Sequence, residues 1–323
     1  MEDYKTELRN DYAYTIIIPH KNCPNLLRCC LGSIPYREDV QVIVVDDNSD
    51  VNKVDFANFP GLNTPNTEVY FTKEGKGAGY ARNVGLKYAR GKWLLFADAD
   101  DFFCCSFLSY LDEYKDSDDD IVFWGVTSVY PESGEQAIRH IGLERLLYRA
   151  FKTHNYDELR YKRYSPCAKM VSRLLVLSND VLFDEVPVSN DVMFSVKTGC
   201  CAKRISIDRR VIYTITVRTG SLEYFASESS IRCRMKVAER VNSFLKTYNV
   251  INNRANIVSF ILQFRKISYS LFVKELLMFI VKHPICFAFD FFDIMSINIE
   301  NRKLVDKKTK QMNKSYILLD KGK

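Results

Sequence analysis

The chain has 323 residues, a formal net charge of +6 and a hydrophobic fraction of 47%. This length and apolar content suit one large domain with an appendage, or two domains, and they exclude a globally disordered chain. The polar, acidic N-terminus lacks the pattern of a secretory signal peptide. Ten cysteines fit no zinc-binding spacing and indicate thiols in a reducing compartment, so we expect a cytoplasmic protein.

Strands and helices are predicted to alternate through the first hundred residues. Short apolar, β-branched runs predict strands, and stretches of helical periodicity predict helices. In chain order, the predicted elements are strand 13–18 ended by Pro19, helix 24–34, strand 41–45, strand 69–71, helix 80–89 and strand 92–97. This alternation indicates an α/β fold with a doubly wound, mostly parallel sheet.

The rest of the chain has a mixed pattern. The predicted elements are helix 104–114, strand 120–126, helices 141–152 and 172–178, one or two strands across 204–217, and helix from about 228 onward. Residues 271–295 are rich in Leu, Ile and Phe, but charged residues and Pro284 interrupt them. We therefore predict two amphipathic helices there and no membrane-spanning helix.

Basic residues are concentrated near the C-terminus. Residues 231–323 carry 18 Lys or Arg against 7 Asp or Glu, and this shift places a domain boundary near residue 225, giving domains 1–225 and 226–323. The basic region suits packing on the first domain, contact with a second copy in a homo-oligomer, or docking at the inner face of the cell membrane. It has no nucleic-acid-binding motif with interleaved aromatics, so we expect no nucleic-acid partner.

Acidic side chains follow two of the predicted strands. Asp98, Asp100 and Asp101 come after the fourth strand, and Asp46 and Asp47 come after the second. Three carboxylates so close repel one another unless a cation neutralises them, and Mn²⁺ or Mg²⁺ prefers carboxylate oxygen. A solvated turn with a helix cap would explain an isolated Asp-x-Asp. The second acidic pair favours a ligand site, because open α/β sheets bind ligands beyond the carboxyl ends of their strands.

A glycine-rich turn at residues 75–79 precedes a predicted helix. Glycines such as Gly77 let the backbone approach a ligand closely, and a helix N-terminus suits phosphate. Lys76 and Arg82 can add charge-assisted contacts. The spacing matches neither a Walker loop nor a dinucleotide fingerprint, and a flexible loop before a helix is the other interpretation.

These stretches together resemble family-2 glycosyltransferases of the GT-A fold. The matching runs, across roughly residues 14–220, are TIIIPHKNCPNLLRCCLGSI, VIVVDDNSD, GAGYARNVGLKYARGKWLLFADADD and VSNDVMFSVKTG. The resemblance implies a metal-dependent, inverting transferase of hexosyl type. It would move a sugar from a nucleotide-diphosphate sugar, by default a UDP-sugar, to a saccharide or lipid-linked acceptor in cell-surface polysaccharide synthesis.

The resemblance also implies roles for individual residues. Asp191 would be the general base, Asp100 would ligate Mn²⁺ or Mg²⁺ directly, and Asp98 would bind ribose or a metal-bound water. The implied nucleotide-binding set is Pro19, His20, Asp46 or Asp47, Gly77, Arg82 and Asp98. Further candidates for the site are Asp101, Lys76, Asn190, Lys169 and Arg218.

The chain departs from the family pattern in two places. The family usually has Glu-Asp at the base motif, where this chain has Asn190 and Asp191. An aromatic residue often follows the proline that corresponds to Pro166, and here it is Cys167. The wall of the sugar or acceptor site is therefore expected to differ.

Two other functions remain open from the residues. A sugar-phosphate nucleotidyltransferase would carry a glycine-rich, basic loop directly after its first strand, where this chain has Pro19 and His20. A non-catalytic nucleotide-sugar-binding partner protein would not need the carboxylates of Asp98, Asp100 and Asp191. Both alternatives are disfavoured on these grounds.

Overall fold

The computed structural model describes residues 11–218 and 227–295. The chain divides into two compact units. The described part of the first unit is 11–218 with 240–254, and that of the second is 227–239 with 255–295. All the described candidate residues of the predicted ligand site belong to the first unit.

An eight-stranded sheet forms the centre of the first unit. Its strands are β1 (Tyr12–His20), β2 (Val40–Asp47), β3 (Thr67–Thr72), β4 (Gly91–Phe96), β5 (Phe102–Phe103), β6 (Ile121–Val129), β7 (Lys169–Ser172) and β8 (Ile205–Thr216). Their order is β3-β2-β1-β4-β7-β6-β8-β5. The first four strands pair in parallel, as do β6 and β8, whereas β7 and β5 run antiparallel to their neighbours. The predicted α/β fold with a mostly parallel sheet is confirmed.

The central strands are buried on both faces. Successive side chains of a strand point to opposite faces of the sheet. Ile16 and Ile18 of β1 accordingly pack in one hydrophobic cluster with Trp93 of β4, and Ile17 packs in a second cluster with Phe96. Burial on both faces explains why these parallel strands read as nearly continuous apolar runs.

Helices connect the strands of the first unit. They are α1 (Pro24–Gly32), α2 (Ala78–Tyr88), α3 (Phe107–Asp112), α4 (Ile141–Thr153), α5 (Asp157–Lys162), α6 (Arg173–Ser178) and α7 (Val192–Cys201). In α2, a Cβ at Gly85 would lie 2.5 Å from Cγ2 of Ile17. Glycine therefore lets this helix pack closely on β1.

Three sequence-based expectations need correction. Pro19 does not end β1, which continues to His20. The pairing of β1 with β4 ends at Ile17, so Pro19 lies where the ladder on that side has stopped and a missing N–H is tolerated. The short strands β5 and β7 were not predicted, because two to four residues carry too little periodicity.

The third correction concerns the C-terminal region, where helix is interrupted. Helix α8 (Glu228–Thr247) is followed by irregular backbone over 248–257. Asn249 adopts a left-handed φ of 59°, a conformation that often ends a helix, and it lies in a stretch rich in asparagine. The remaining elements are α9 (Val258–Ile261), a 3₁₀ helix (Leu262–Lys266), α10 (Tyr269–Lys282) and a helix over 284–295.

The two helices predicted on either side of Pro284 are both present. Within the ranges that the structure describes, none of the helices combines the length and the apolarity needed to span a bilayer.

Candidate active site

The candidate site lies at the carboxyl ends of β1, β2 and β4. His20 is in register with Asp46 across the parallel pair β1–β2, and Ile17 is in register with Phe96 across β1–β4. The segments that follow β2 and β4 therefore emerge at the same edge of the sheet as His20. This is the edge at which doubly wound sheets bind ligands.

Asp46 is buried and bonded within the protein. Its Oδ1 lies 2.7 Å from His20 Nδ1 and accepts from the Ser49 hydroxyl at 2.5 Å, while its Oδ2 accepts from the Ser49 N–H at 2.9 Å. His20 Nε2 in turn accepts from the Cys23 N–H at 3.1 Å, which fixes the tautomer with hydrogen on Nδ1. Asp46 and His20 thus hold the ends of β1 and β2 together.

Asp47 has a different environment from Asp46. Its Oδ2 accepts from the Gly77 N–H at 2.8 Å and from Lys21 Nζ at 3.3 Å. Its Oδ1 is buried and has no hydrogen-bond partner in the structure. A buried carboxylate oxygen without a donor is costly, so Asp47 is the better candidate of the two to accept from a ligand N–H or hydroxyl.

The glycine-rich turn brings α2 close to the loop before α7. Gly77 is the N-cap of α2, with a left-handed φ of 95° that favours glycine. A Cβ at Gly79 would collide with the carbonyl oxygen of Asp184 and lie 3.0 Å from Cβ of Asn190. Glycine at position 79 therefore allows the loop that carries Asn190 to approach the first turn of α2.

Arg82 of α2 connects two segments of the site. Its Nη1 donates to Asn190 Oδ1 at 2.8 Å, and its Nη2 donates to Asp98 Oδ1 at 2.6 Å. The guanidinium is almost fully buried, and its carbon lies 5.4 Å from the centre of the Phe183 ring. Arg82 therefore holds the acidic segment after β4 beside the residue that precedes Asp191.

Asp98, Asp100 and Asp101 form a compact carboxylate cluster. One oxygen from each lies within 4.8 Å of the others. Burial raises the pKa of Asp100, and the nearby charge of Asp98 acts in the same direction. The pKa of Asp101 is raised well above its ordinary value by burial and then by Asp98 and Asp100. These shifts reflect burial first and mutual repulsion second. A bound cation would relieve the repulsion, and an all-oxygen donor set fits Mn²⁺ or Mg²⁺.

The carboxylate cluster is also bonded by Thr216, the last residue of β8, and by Arg218 just after it. The Thr216 N–H donates to Asp101 Oδ1 at 2.7 Å, and the Thr216 hydroxyl donates to the Asp100 carbonyl at 2.7 Å. Arg218 pairs with Asp100 Oδ2. Because Asp101 is buried and bonded to the backbone, Asp98 and Asp100, which are partly exposed, are the better candidates to meet a metal.

Asp191 lies at the start of α7, one residue after the Arg82 partner Asn190. It occupies the N-cap position, yet its side chain makes no capping hydrogen bond. Burial raises its pKa, while the positive charge of Arg82 acts in the opposite direction. A carboxylate that is not used for capping, and whose pKa is raised, has the properties of a general base.

The two lysine candidates differ in their surroundings. Lys169 is buried, and its Nζ donates to the Arg163 carbonyl at 2.5 Å and to the Ser195 hydroxyl at 3.0 Å. Burial lowers the pKa of Lys169 to about 7, with Arg163 acting in the same direction. Lys76 is more than half exposed and pairs with Glu185 at 3.6 Å. Lys169 therefore has its polar contacts inside the fold, whereas Lys76 lies at the surface near the N-terminus of α2.

The sequence-based reasoning missed three residues that support the site: Tyr213, Asn83 and Thr216, whose contacts with Asp100 and Asp101 are described above. The Tyr213 hydroxyl accepts from the Asp98 N–H at 2.8 Å. Asn83 exchanges two hydrogen bonds with the backbone of Phe183, at 2.8 and 3.0 Å. An asparagine in the interior of a helix is itself a signal, because asparagine disfavours that position unless its side chain is used. No local signal marks Tyr213 or Thr216, since they come from a distant strand.

The comparison with protein families agrees with this geometry. The model of glycosyl transferase family 2 matches residues 15–176, which is half of the chain. The matched region contains the ends of β1, β2 and β4, the glycine-rich turn and the carboxylate cluster. The chain belongs to glycosyl transferase family 2.

The similarity to individual relatives is low in identity or covers only part of each chain. The chain is 32% identical over 117 residues to the minor teichoic acid biosynthesis protein GgaB of Bacillus subtilis strain 168, an alignment that covers 34% of this chain and 13% of GgaB. The fold of the present chain is similar to that of S. aureus TarS 1–349 in complex with UDP-GlcNAc. The TM-score is 0.54, and the identity is 22% over 80% of this chain and 74% of TarS 1–349.

A third similar structure is a mannosyltransferase. This is PcManGT from Pyrobaculum calidifontis in complex with GDP-Man and Mn²⁺, with a TM-score of 0.52 and 15% identity over 83% of this chain and 75% of that one. At these identities the two structures establish the GT-A fold.

Proposed function

We propose that this chain transfers a hexosyl group from a UDP-sugar to a hydroxyl of a saccharide or lipid-linked acceptor, with inversion at the anomeric carbon. The observation that carries the proposal is the double hydrogen bond of Arg82, to Asp98 and to Asn190. Arg82 thereby links the carboxylate cluster, which suits a diphosphate-bound metal, to Asn190, the residue directly before Asp191. A transferase needs both features, one for the leaving group and one for the acceptor.

The nucleotide is proposed to bind at the end of β2. Asp47 Oδ1 is buried without a donor, and the base N–H or a ribose hydroxyl of a nucleotide would supply one. The Gly77 N–H bonds the other oxygen of the same carboxylate, Oδ2, so the N-terminus of α2 lies against Asp47. Glycine at this position lets the backbone approach a ligand closely. Uridine is the proposed nucleoside because TarS, a similar fold, was solved with UDP-GlcNAc.

The diphosphate is proposed to bind at the carboxylate cluster. Asp98 and Asp100 would hold Mn²⁺ or Mg²⁺, which supplies positive charge to the phosphate oxygens of the leaving group. Mn²⁺ in the PcManGT complex supports this choice of ion. Arg218, which pairs with Asp100, adds a second positive charge at the same place. Asp101 stays bonded to Thr216 and positions the turn.

Asp191 is proposed to take the proton from the acceptor hydroxyl. A hydroxyl attacks the anomeric carbon while its bond to the diphosphate breaks, and the proton moves to the Asp191 carboxylate. General-base catalysis of this kind contributes about 10²–10⁴-fold. A single displacement with one base inverts the anomeric configuration. The similarity to GgaB supports an acceptor in cell-surface polysaccharide synthesis, in the manner of teichoic acid.

Thermal melting of the full chain with a panel of UDP-, GDP- and dTDP-sugars in the presence of Mn²⁺ tests the proposal. We expect a UDP-sugar to raise the melting temperature by mass action and to release UDP during incubation. Stabilisation without UDP release, with saccharide and lipid-linked acceptors present, would favour the non-catalytic binding protein. No stabilisation by any nucleotide sugar would refute the proposed donor class.

A further inference from the structure

The helix over 284–295 presents an apolar surface. Ile285 is 73% exposed, Phe292 is 71% exposed, and Phe291 and Met295 are close to half exposed. An ordinary surface helix of a globular protein places charged and polar side chains on its exposed side. Large apolar side chains grouped in this way mark a surface that contacts another partner.

Both carboxylates of this helix bond to other residues of the second unit. Asp290 is buried, and its Oδ2 accepts from the backbone N–H groups of Ile257 at 2.9 Å and Val258 at 3.2 Å. Asp293 accepts from the Asn256 side chain at 3.1 Å. These bonds cap the start of α9 and fix which side of the 284–295 helix is buried. The exposure of Ile285 and Phe292 is therefore set by the fold of this unit.

Helix α10 combines exposed apolar and basic side chains. Leu277 is 57% exposed and Val281 is 80% exposed, and Lys274 and Lys282 are exposed on the same helix. Its acidic residue, Glu275, is buried and accepts from Arg232 at 2.9 Å. Of the three carboxylates on α10 and the 284–295 helix, Glu275 and Asp290 are buried, and Asp293 is half-buried and bonded to Asn256.

We propose that α10 and the 284–295 helix dock on the surface of an anionic lipid bilayer. Interfacial helices carry apolar side chains that enter the acyl boundary and basic side chains that meet anionic headgroups. The sequence after this helix continues the charge pattern, because residues 296–323 contain eight Lys or Arg against three Asp or Glu. A second copy of the chain would bring these like charges together, whereas an anionic surface complements them.

Flotation of the full chain with vesicles tests this proposal independently of the transferase reaction. Vesicles of mixed phosphatidylcholine and phosphatidylglycerol should carry the protein upward, and vesicles of phosphatidylcholine alone should carry less. Ile285→Glu/Phe292→Glu should lower the partition coefficient at least tenfold, because two apolar side chains no longer enter the bilayer. A matched control, Val51→Glu/Ile138→Glu, changes residues that are 76% and 73% exposed in the first unit and should float like the wild type.

A second variant separates charge from apolar contact. Lys274→Gln/Lys282→Gln should lower partitioning on phosphatidylglycerol vesicles by roughly fivefold per lysine and leave it unchanged on phosphatidylcholine. This variant also keeps the test valid if the glutamate substitutions reduce the melting temperature. Failure of the wild type to float, or equal flotation of all variants, would overturn the proposal. A wild-type dimer in sedimentation that Ile285→Glu/Phe292→Glu dissociates, without flotation, would assign the surface to a second copy.

Discussion

The guanidinium of Arg82 donates to the amide oxygen of Asn190 at 2.8 Å and joins residues that are 108 positions apart in the chain. The same group donates to Asp98, so the segment that carries Asp98 and the segment that carries Asp191 share one buried cation. A buried guanidinium needs such partners to offset its desolvation. The bond therefore stabilises the fold and, in the proposed mechanism, sets the position of Asp191.

Replacement of Asp191 by asparagine should greatly slow transfer and preserve donor binding. The amide has nearly the same shape but does not accept a proton, so we expect the rate to fall by about 10²–10⁴-fold. UDP release in the presence of acceptor and calorimetric binding of UDP measure the two effects. Asp180→Asn is the matched control, because Asp180 is exposed and adopts a φ of 47° that asparagine also tolerates. Near-normal turnover of Asp191→Asn would remove this residue from the mechanism.

The pH dependence of transfer should show an acid limb above the ordinary range of aspartate. The base works only when deprotonated, and burial raises the pKa of Asp191, so activity should fall as the pH drops through this raised value. Arg82 lowers the same pKa, so Arg82→Met should move the limb to higher pH. Lys87→Met, at an exposed position of α2, is the control. An acid limb that stays in place in Arg82→Met would contradict the electrostatic link.

Asparagine substitutions at Asp46 and Asp47 should have different effects. Both oxygens of Asp46 accept hydrogen bonds, so Asp46→Asn places an N–H against a donor and should destabilise the fold by about 1–3 kcal/mol. Asp47→Asn keeps the shape beside Gly77 but changes the acceptor for the nucleotide. It should weaken UDP binding roughly tenfold or more, with a smaller change in melting temperature. Calorimetry and thermal melting on the pair measure this contrast, and equal UDP affinity in wild type and Asp47→Asn would argue against the assigned contact.

Alanine at Gly79 should destabilise the protein because its Cβ would meet the Asp184 carbonyl. Crowding of this kind costs about 1–3 kcal/mol, and here it also pushes the loop of Asn190 away from Arg82. Gly142→Ala is a sharp control, since a Cβ there has no neighbour within 4 Å and lies in helix α4. It should leave stability unchanged or raise it by up to about 1 kcal/mol. Urea denaturation measures both, and equal midpoints would show that the loop yields to the added methyl group.

Local sequence patterns were sufficient to predict the fold class and the edge of the sheet at which the candidate site lies. Apolar β-branched runs that end in acidic residues identify β2 and β4, and the order of elements implies that their ends meet. The pattern did not distinguish Asp46 from Asp47, because both follow the same strand. Their difference arises from partners in other segments, Ser49 and His20 for one and Gly77 for the other.

Long-range contacts account for what the sequence did not predict. Tyr213 bonds to the Asp98 N–H from 115 positions away, and Thr216 bonds to Asp101 from the same separation. No local periodicity records a pairing of this kind. The exposure of Ile285 and Phe292 likewise depends on Asp290, whose carboxylate turns inward to bond the backbone of α9.

Calorimetric titration of UDP with and without Mn²⁺, on the wild type and on Asp100→Ala, tests the proposed metal–diphosphate site most directly. The control is Asp118→Ala, whose side chain is 87% exposed. We expect Mn²⁺ to strengthen UDP binding to the wild type and to the control, and we expect Asp100→Ala to lose most of that gain, because a carboxylate that meets the ion has been removed. An identical Mn²⁺ dependence in Asp100→Ala and the wild type, or UDP binding that chelation with EDTA leaves unchanged, would contradict the account.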